Sequence, residues 1–211
     1  LIVFDRYRNE RTTTLSMSSP QAWSPDSRRF AYVFSGQNGR ETRIATLDNN
    51  GIIVNDHAIS GDNADSSRGH VYWSADGTKL AYINFGVTIN TSEIFVADAD
   101  GNNARRISPL VLGVQVQSAA WSLDGTQLAY VWQQPTVNLS WFVSVIDVVS
   151  GTTTQIVQNV RSRNTPGVSW SPDGRYLAML VSPFRLTLYD MVTGLENFVT
   201  DGALRPQAMA W

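Results

Sequence analysis

An all-β fold built from repeated four-stranded sheets is what the sequence predicts, and three observations carry the prediction. A short motif recurs four times, as "WSPDS" at Trp23, "WSADG" at Trp73, "WSLDG" at Trp121 and "WSPDG" at Trp170. Taken with Trp211, these tryptophans stand 50, 48, 49 and 41 residues apart. In parallel, each repeat holds an apolar run that ends in Asp and meets Gly a few residues later: "RIATLDNNG", "IFVADADG", "VSVIDVVSG" and "LTLYDMVTG". The opening "LIVFD" fits the same slot. Finally, no stretch shows a helical period, and Gly and Pro are spread too evenly for long helices.

The second repeat shows how one unit divides. "HVYWS" (70–74) is a short apolar strand, "ADG" a turn, "KLAYINF" (79–85) a second strand and "TSEIFVAD" (91–98) an alternating third. "DGN" turns the chain again into a more polar fourth strand, "ARRIS" (104–108). Four antiparallel strands at a period of about 40–50 residues predict a β-propeller. One such sheet has two faces to bury and cannot bury them alone, so the sheets stack radially as blades. The innermost strand is expected to be the most apolar, and the outermost, as in "ARRIS" and "ERTTTLS", the most polar.

In chain order, residues 1–211 are expected to form a single β-propeller region. Residues 1–19 close a preceding blade, 20–66, 67–115, 116–163 and 164–203 form blades, and 204–211 supply the first strand of a further one. That is four nearly complete repeats with partial blades at both ends. The count predicts a fragment of a propeller of six or more blades; a five-bladed ring with a three-stranded closing blade is the alternative.

The recurring motif reads as a hairpin between the first two strands. Pro presets φ for a tight turn, Asp caps nearby amides and Gly accepts the positive φ that closes it. Pro becomes Ala75 or Leu123 in two copies, and Gly becomes Ser27 in one. Asp26, Asp76, Asp124 and Asp173 are paired with Ser24, Ser74, Ser122 and Ser171 in all four copies, which suits a local hydrogen-bonded pair better than a reactive site repeated at every turn. Trp23, Trp73, Trp121 and Trp170 are expected to pack between neighbouring blades.

"AWSPDSRRFAYV", "VYWSADGTKLAYI", "AAWSLDGTQLAYV" and "VSWSPDGRYLAML" closely resemble the WSPDG-type propeller repeat of TolB-like proteins, and "IFVADADGNNARRIS" resembles its second half. The resemblance covers nearly the whole chain. The "GH…WD" pattern of WD-type repeats is missing, which favours the TolB-like branch. The resemblance implies a bacterial periplasmic, secreted or surface protein, with members that act as binding platforms and others that form the propeller in front of a prolyl-oligopeptidase-class serine peptidase.

Composition narrows the chemistry. The chain has 211 residues, 43% of them hydrophobic, which is enough for a sizeable core. Only 16% are charged, against about 25% in an ordinary domain. The net charge of −2 offers no basic surplus for nucleic acid. Cysteine is absent, so disulfides, thiol catalysis and zinc–thiolate sites are excluded. No apolar run approaches the ~20 residues of a membrane span. No G-x-S-x-G elbow, H-E-x-x-H motif or P-loop occurs, and no cofactor or metal is implied. "DADGNN" (98–103) departs from the calcium-loop order and reads as a plain turn. His57 and His70 flank or enter the polar linker "NDHAISGDNADSSRGH", where a Ser-His-Asp triad exists only on paper.

The loops joining second to third and fourth to first strands share one face and repeat least. "WQQPTVNLSW" places Trp132 and Trp141 around a polar loop, and "NVRSRNTPG" holds Arg161 and Arg163. Trp and Arg beside variable loops point to recognition; packing within the bordering strands is the competing role for both tryptophans. "NTS" (90–92) and "NLS" (138–140) match glycosylation sequons in those loops. The expected function is a non-catalytic scaffold for a protein or cell-surface ligand. One alternative is the propeller of a serine peptidase whose catalytic domain lies outside this chain. Another is a polysaccharide-acting propeller enzyme.

Overall fold

The computed structural model of the chain describes residues 2–5, 10–14, 22–36, 39–59, 67–85, 91–108, 113–134, 140–161, 167–182 and 185–199. Among these residues every regular element is a strand, and no helix is long and apolar enough to cross a membrane. Strands β1 (Ile2–Asp5) and β2 (Glu10–Thr14) pair antiparallel, which joins "LIVFD" to "ERTTT" as expected of a third and fourth strand. Four antiparallel four-stranded sheets follow. The first holds β3 (Ala22–Trp23), β4 (Arg29–Gly36), β5 (Gly39–Leu47) and β6 (Ile53–Ala58). The second holds β7 (Ser67–Trp73), β8 (Lys79–Phe85), β9 (Ser92–Asp98) and β10 (Arg105–Arg106). The third holds β11 (Gln115–Trp121), β12 (Gln127–Gln133), β13 (Ser140–Asp147) and β14 (Thr153–Arg161). The fourth holds β15 (Gly167–Trp170), β16 (Tyr176–Ser182), β17 (Arg185–Asp190) and β18 (Glu196–Phe198).

Each sheet pairs its strands in chain order, so every connection is a hairpin. First strands lie beside first strands: β7 against β3 and β11, and β11 against β15. These are the blades of a β-propeller, with the first strands converging on its axis. The expected strand of 204–211, with Trp211, lies outside the described residues.

Burial departs from the expectation in one respect. The second strand is more buried than the innermost: β8 reads buried at all five interior positions, whereas β11 is buried at two of seven and β3 is largely accessible. In the second and third blades the second strand has a hydrogen-bonded neighbour on each edge and a blade on each face. The innermost strand has one open edge along the axis, which admits water. The outermost strands are the most polar, with β10 and β18 exposed throughout.

The second strands also reveal how one blade reads the next. In β12, Leu128 and Tyr130 enter a core shared with the second blade, while Ala129 and Val131 enter the core shared with the fourth. The period-2 alternation of a strand sends neighbours to opposite faces. The same order appears as Phe30-Ala31-Tyr32, Leu80-Ala81-Tyr82 and Leu177-Ala178-Met179. At the three interfaces between these blades the large residues turn to the preceding blade and the alanine of that blade turns to meet them. Each core cluster of this kind spans two blades. The motif tryptophans tie them: the Trp73, Trp121 and Trp170 indoles donate to the carbonyls of Ala22, Tyr72 and Ala120, at 3.0, 3.0 and 3.1 Å. Trp23 stacks at a tilt on Phe30, 5.2 Å between centroids, and stays half-exposed.

The fully buried Ala129 leaves no room for a larger side chain. Ala129→Leu is expected to cost about 1–3 kcal/mol by overpacking. Urea unfolding followed by tryptophan fluorescence checks this, and an unchanged midpoint would contradict the packing.

Candidate functional site

At the hairpin after each first strand, the Ser–Asp pair is fully engaged in turn geometry. The serine hydroxyl donates to the aspartate two residues on, from Ser24 to Asp26 at 2.5 Å, Ser74 to Asp76 at 2.6 Å, Ser122 to Asp124 at 2.6 Å and Ser171 to Asp173 at 2.5 Å. The same oxygens accept the amides five residues ahead, those of Arg29, Lys79, Gln127 and Tyr176, at 2.8–2.9 Å. Each aspartate in turn accepts the amide two residues on, from Arg28, Thr78, Thr126 and Arg175. The position closing the turn is left-handed in every copy. Ser27 has φ 58°, close to the 66–70° of Gly77, Gly125 and Gly174, so the serine accepts the strain that glycine avoids.

These contacts set the charge state. The serine hydroxyl, aided by a backbone amide, holds the carboxyls of Asp26 and Asp76 at about 2, and those of Asp124 and Asp173 also below their ordinary value. Carboxylates held this far below their ordinary value are too weakly basic to take the serine proton, so the pair does not activate a nucleophile. The motif is architecture.

The other sequence candidates disperse. His57 sits on the outermost strand β6 and His70 on the innermost strand β7 of the next blade, so the linker brings no triad together among the described residues. His57 Nε2 lies 2.7 Å from the Asp100 carbonyl of the second blade. His70 is exposed, its ring 6.2 Å from that of Tyr72. "DADGNN" folds as a turn: Asp100 accepts the Asn102 amide at 3.0 Å, and Asn103 Nδ2 donates to Asp98 at 2.6 Å. Gly101, at φ +79°, lets this turn press on the first blade, where a Cβ would meet Ile44 Cδ1 at 3.3 Å and the Ile59 backbone at 3.4 Å. No group of three metal-ligating side chains forms among the described residues.

The two tryptophans of the third blade part ways. Trp141 is buried, 7% exposed, in the core shared with the fourth blade, so it is not available as a recognition residue. Trp132 is partly exposed on the opposite face, its Nε1 donating to Ser144 Oγ at 2.9 Å. Its cross-strand partner is Phe142, stacked on it at 4.3 Å and 18°. Composition did not single out Phe142, although its place one residue after Trp141 signals the opposite face. The register sets Arg161 opposite Ser140, at the same end of the blade as Trp132. Arg163, most of the linkers and loop tips that share this face, and the Asn of both sequons lie outside the described residues.

The first blade carries a charged cluster at the equivalent height. Tyr32 donates to Asp56 at 2.9 Å, and Arg43 Nε donates to the other oxygen of Asp56 at 3.0 Å. Burial, then the Asp56 carboxylate, pushes the Tyr32 phenol up to about 12.

No family model matches the chain, and no curated relative does. Solved structures are similar in fold. The putative TolB from Agrobacterium tumefaciens is 20% identical with a TM-score of 0.63, over 86% of this chain and 61% of that one. An oligogalacturonate lyase in complex with manganese is 16% identical with a TM-score of 0.64, over 92% and 57%. A Mycobacterium tuberculosis puromycin-hydrolyzing peptidase is 15% identical with a TM-score of 0.67, over 97% and 32%. The chain has the TolB-like β-propeller fold and spans less than two thirds of each of these proteins.

Two outcomes follow from the turns. Ser122→Ala strands the half-buried Gln127 amide and removes the Asp124 contact; a loss of about 1 kcal/mol is expected in urea melts. Because the folded state favours the ionised aspartates, their stabilisation is complete above the unfolded value near 3.8. It drains as the pH falls from about 4 to about 2. The unfolding midpoint should drop across that window, and the Asp26→Asn, Asp76→Asn double variant should flatten the drop.

Proposed function

We propose that the chain is a non-catalytic propeller scaffold whose loop face binds a protein or cell-surface ligand. The observation that carries this reading is the division between the two ends of the blades. At one end every Ser–Asp pair is consumed by a turn. At the other, the sequence stops repeating, and Trp132 and Phe142 present a stacked aromatic pair at its edge. Aromatic anchors with an arginine are the usual energetic centre of a protein interface, and the register ends β14 at Arg161, opposite Ser140, with Arg163 two residues on in the sequence. The TolB-like fold supports a periplasmic or cell-surface setting.

A second reading, a propeller preceding a hydrolase domain, draws on the peptidase match that spans 97% of this chain and 32% of the peptidase. The lyase match gives a polysaccharide-acting enzyme weaker support, since neither histidine joins a carboxylate cluster among the described residues.

The test is retention of cell-envelope components by the immobilised protein. Phe142→Ala combined with Arg161→Ala should lower retention about tenfold or more, as loss of an interface centre does. Equal retention by the double variant would contradict the assignment of this face. Turnover of peptide or polysaccharide substrates by the purified protein would replace it with one of the enzymatic readings.

A further inference from the structure

One position varies sharply while the backbone around it stays constant. It faces the aromatic residue of the second strand across the third. Tyr32 faces Arg43, Tyr82 faces Phe95, and Tyr130 faces Ser144. In the second blade the pair fills its interface. The Tyr82 and Phe95 rings stack at 5.4 Å and 17°, and Phe95 packs against the core shared with the first blade. In the third blade Ser144 leaves that room open. A cavity of about 210 Å³ lies there between the second and third blades. Its walls include Ser92, Val116, Tyr130, Trp132, Ser144 and Thr153, and among the described residues no charged side chain lines it. Ser92 is 3% exposed, and its Oγ has no hydrogen-bond partner among the described residues.

We propose that this cavity binds a small uncharged aromatic compound carrying a hydroxyl. Its ring would lie on Tyr130 as the Phe95 ring lies on Tyr82, with its hydroxyl reaching Ser92. The neighbouring interface supplies the template, because it shows what this backbone register accepts in the same place. Size agrees: a dry cavity of about 150 Å³ admits benzene, so this one has room for a ring with a substituent. Chemistry agrees as well. A lining of tyrosine, tryptophan and hydroxyls offers an offset-stacking surface and two unmet polar partners, Ser92 Oγ and Thr153 Oγ1. It offers nothing to compensate a carboxylate or ammonium, whose desolvation would go unpaid. The competing occupant is ordered water held by the hydroxyls, which would show no preference for a ring.

Phenol is the probe, with benzoate and toluene beside it, followed by ligand-observed NMR. Saturable phenol binding is expected with a dissociation constant of about 1 mM or below, within reach of a ligand of about seven heavy atoms. Benzoate should bind at least tenfold more weakly. Ser144→Phe rebuilds the filled interface of the second blade and should abolish phenol binding. Ser92→Ala keeps the cavity and should weaken phenol severalfold while leaving toluene unchanged, which preserves the test if Ser144→Phe fails to fold. Absence of saturable phenol binding, equal binding of benzoate, or undiminished phenol binding by Ser144→Phe would each overturn the proposal.

Discussion

The second strands of the second and third blades are covered on both edges and, over most of their length, on both faces, and the rest of the structure is arranged around that constraint. Their backbone groups pair with strands on both edges. Their side chains are dry on both faces, as in Leu128, Ala129, Tyr130 and Val131. Burial of each large side chain is worth about 1.5–3 kcal/mol, but only while another blade covers it. Stability therefore resides in the interfaces between blades more than in any blade by itself, the nearest-neighbour regime of repeat proteins.

The two faces are not equivalent, and the asymmetry orients the stack. Large residues point back to the preceding blade and an alanine points forward. The forward core in turn receives the next tryptophan, as Trp170 enters the cluster that holds Ala129. The indole then finds a carbonyl one residue before the preceding tryptophan. A one-residue slip would break that bond and reverse every face. The Ser–Asp turn guards against such a slip, since its hydroxyl counts five residues across the hairpin.

Much of this was legible in the sequence because the repeat is driven by turn chemistry, which is local. Asp26, Asp76, Asp124 and Asp173 announce the hairpins, and the spacing of the tryptophans announces the blades. What stayed hidden depends on which face a residue takes. Trp132 and Trp141 look alike as flanks of one loop. Yet the register pairs Trp132 with Phe142 and Gln133 with Trp141, which sends the two indoles to opposite faces. One remains partly open and the other joins the core. The innermost strand was likewise misjudged, because sequence does not show that an edge along the axis is open to water. His57 and His70, neighbours across a linker, end on strands at opposite radial limits of adjacent blades.

The same rigidity explains how variety arises without loss of fold. Arg43, Phe95, Ser144 and Thr187 occupy one register position in successive blades. The first supports an ion pair with Asp56, the second a ring stack, the third a cavity and the fourth a buried hydroxyl. Packed interiors relax only partly when a side chain shrinks. Here relaxation is further limited because the indole tethers and hairpins fix both backbones. A serine at this position therefore leaves an open volume where a flexible scaffold would have closed around it. The invariant half of the repeat holds the blades apart at a set distance, and single substitutions in the variable half decide what the space between them contains.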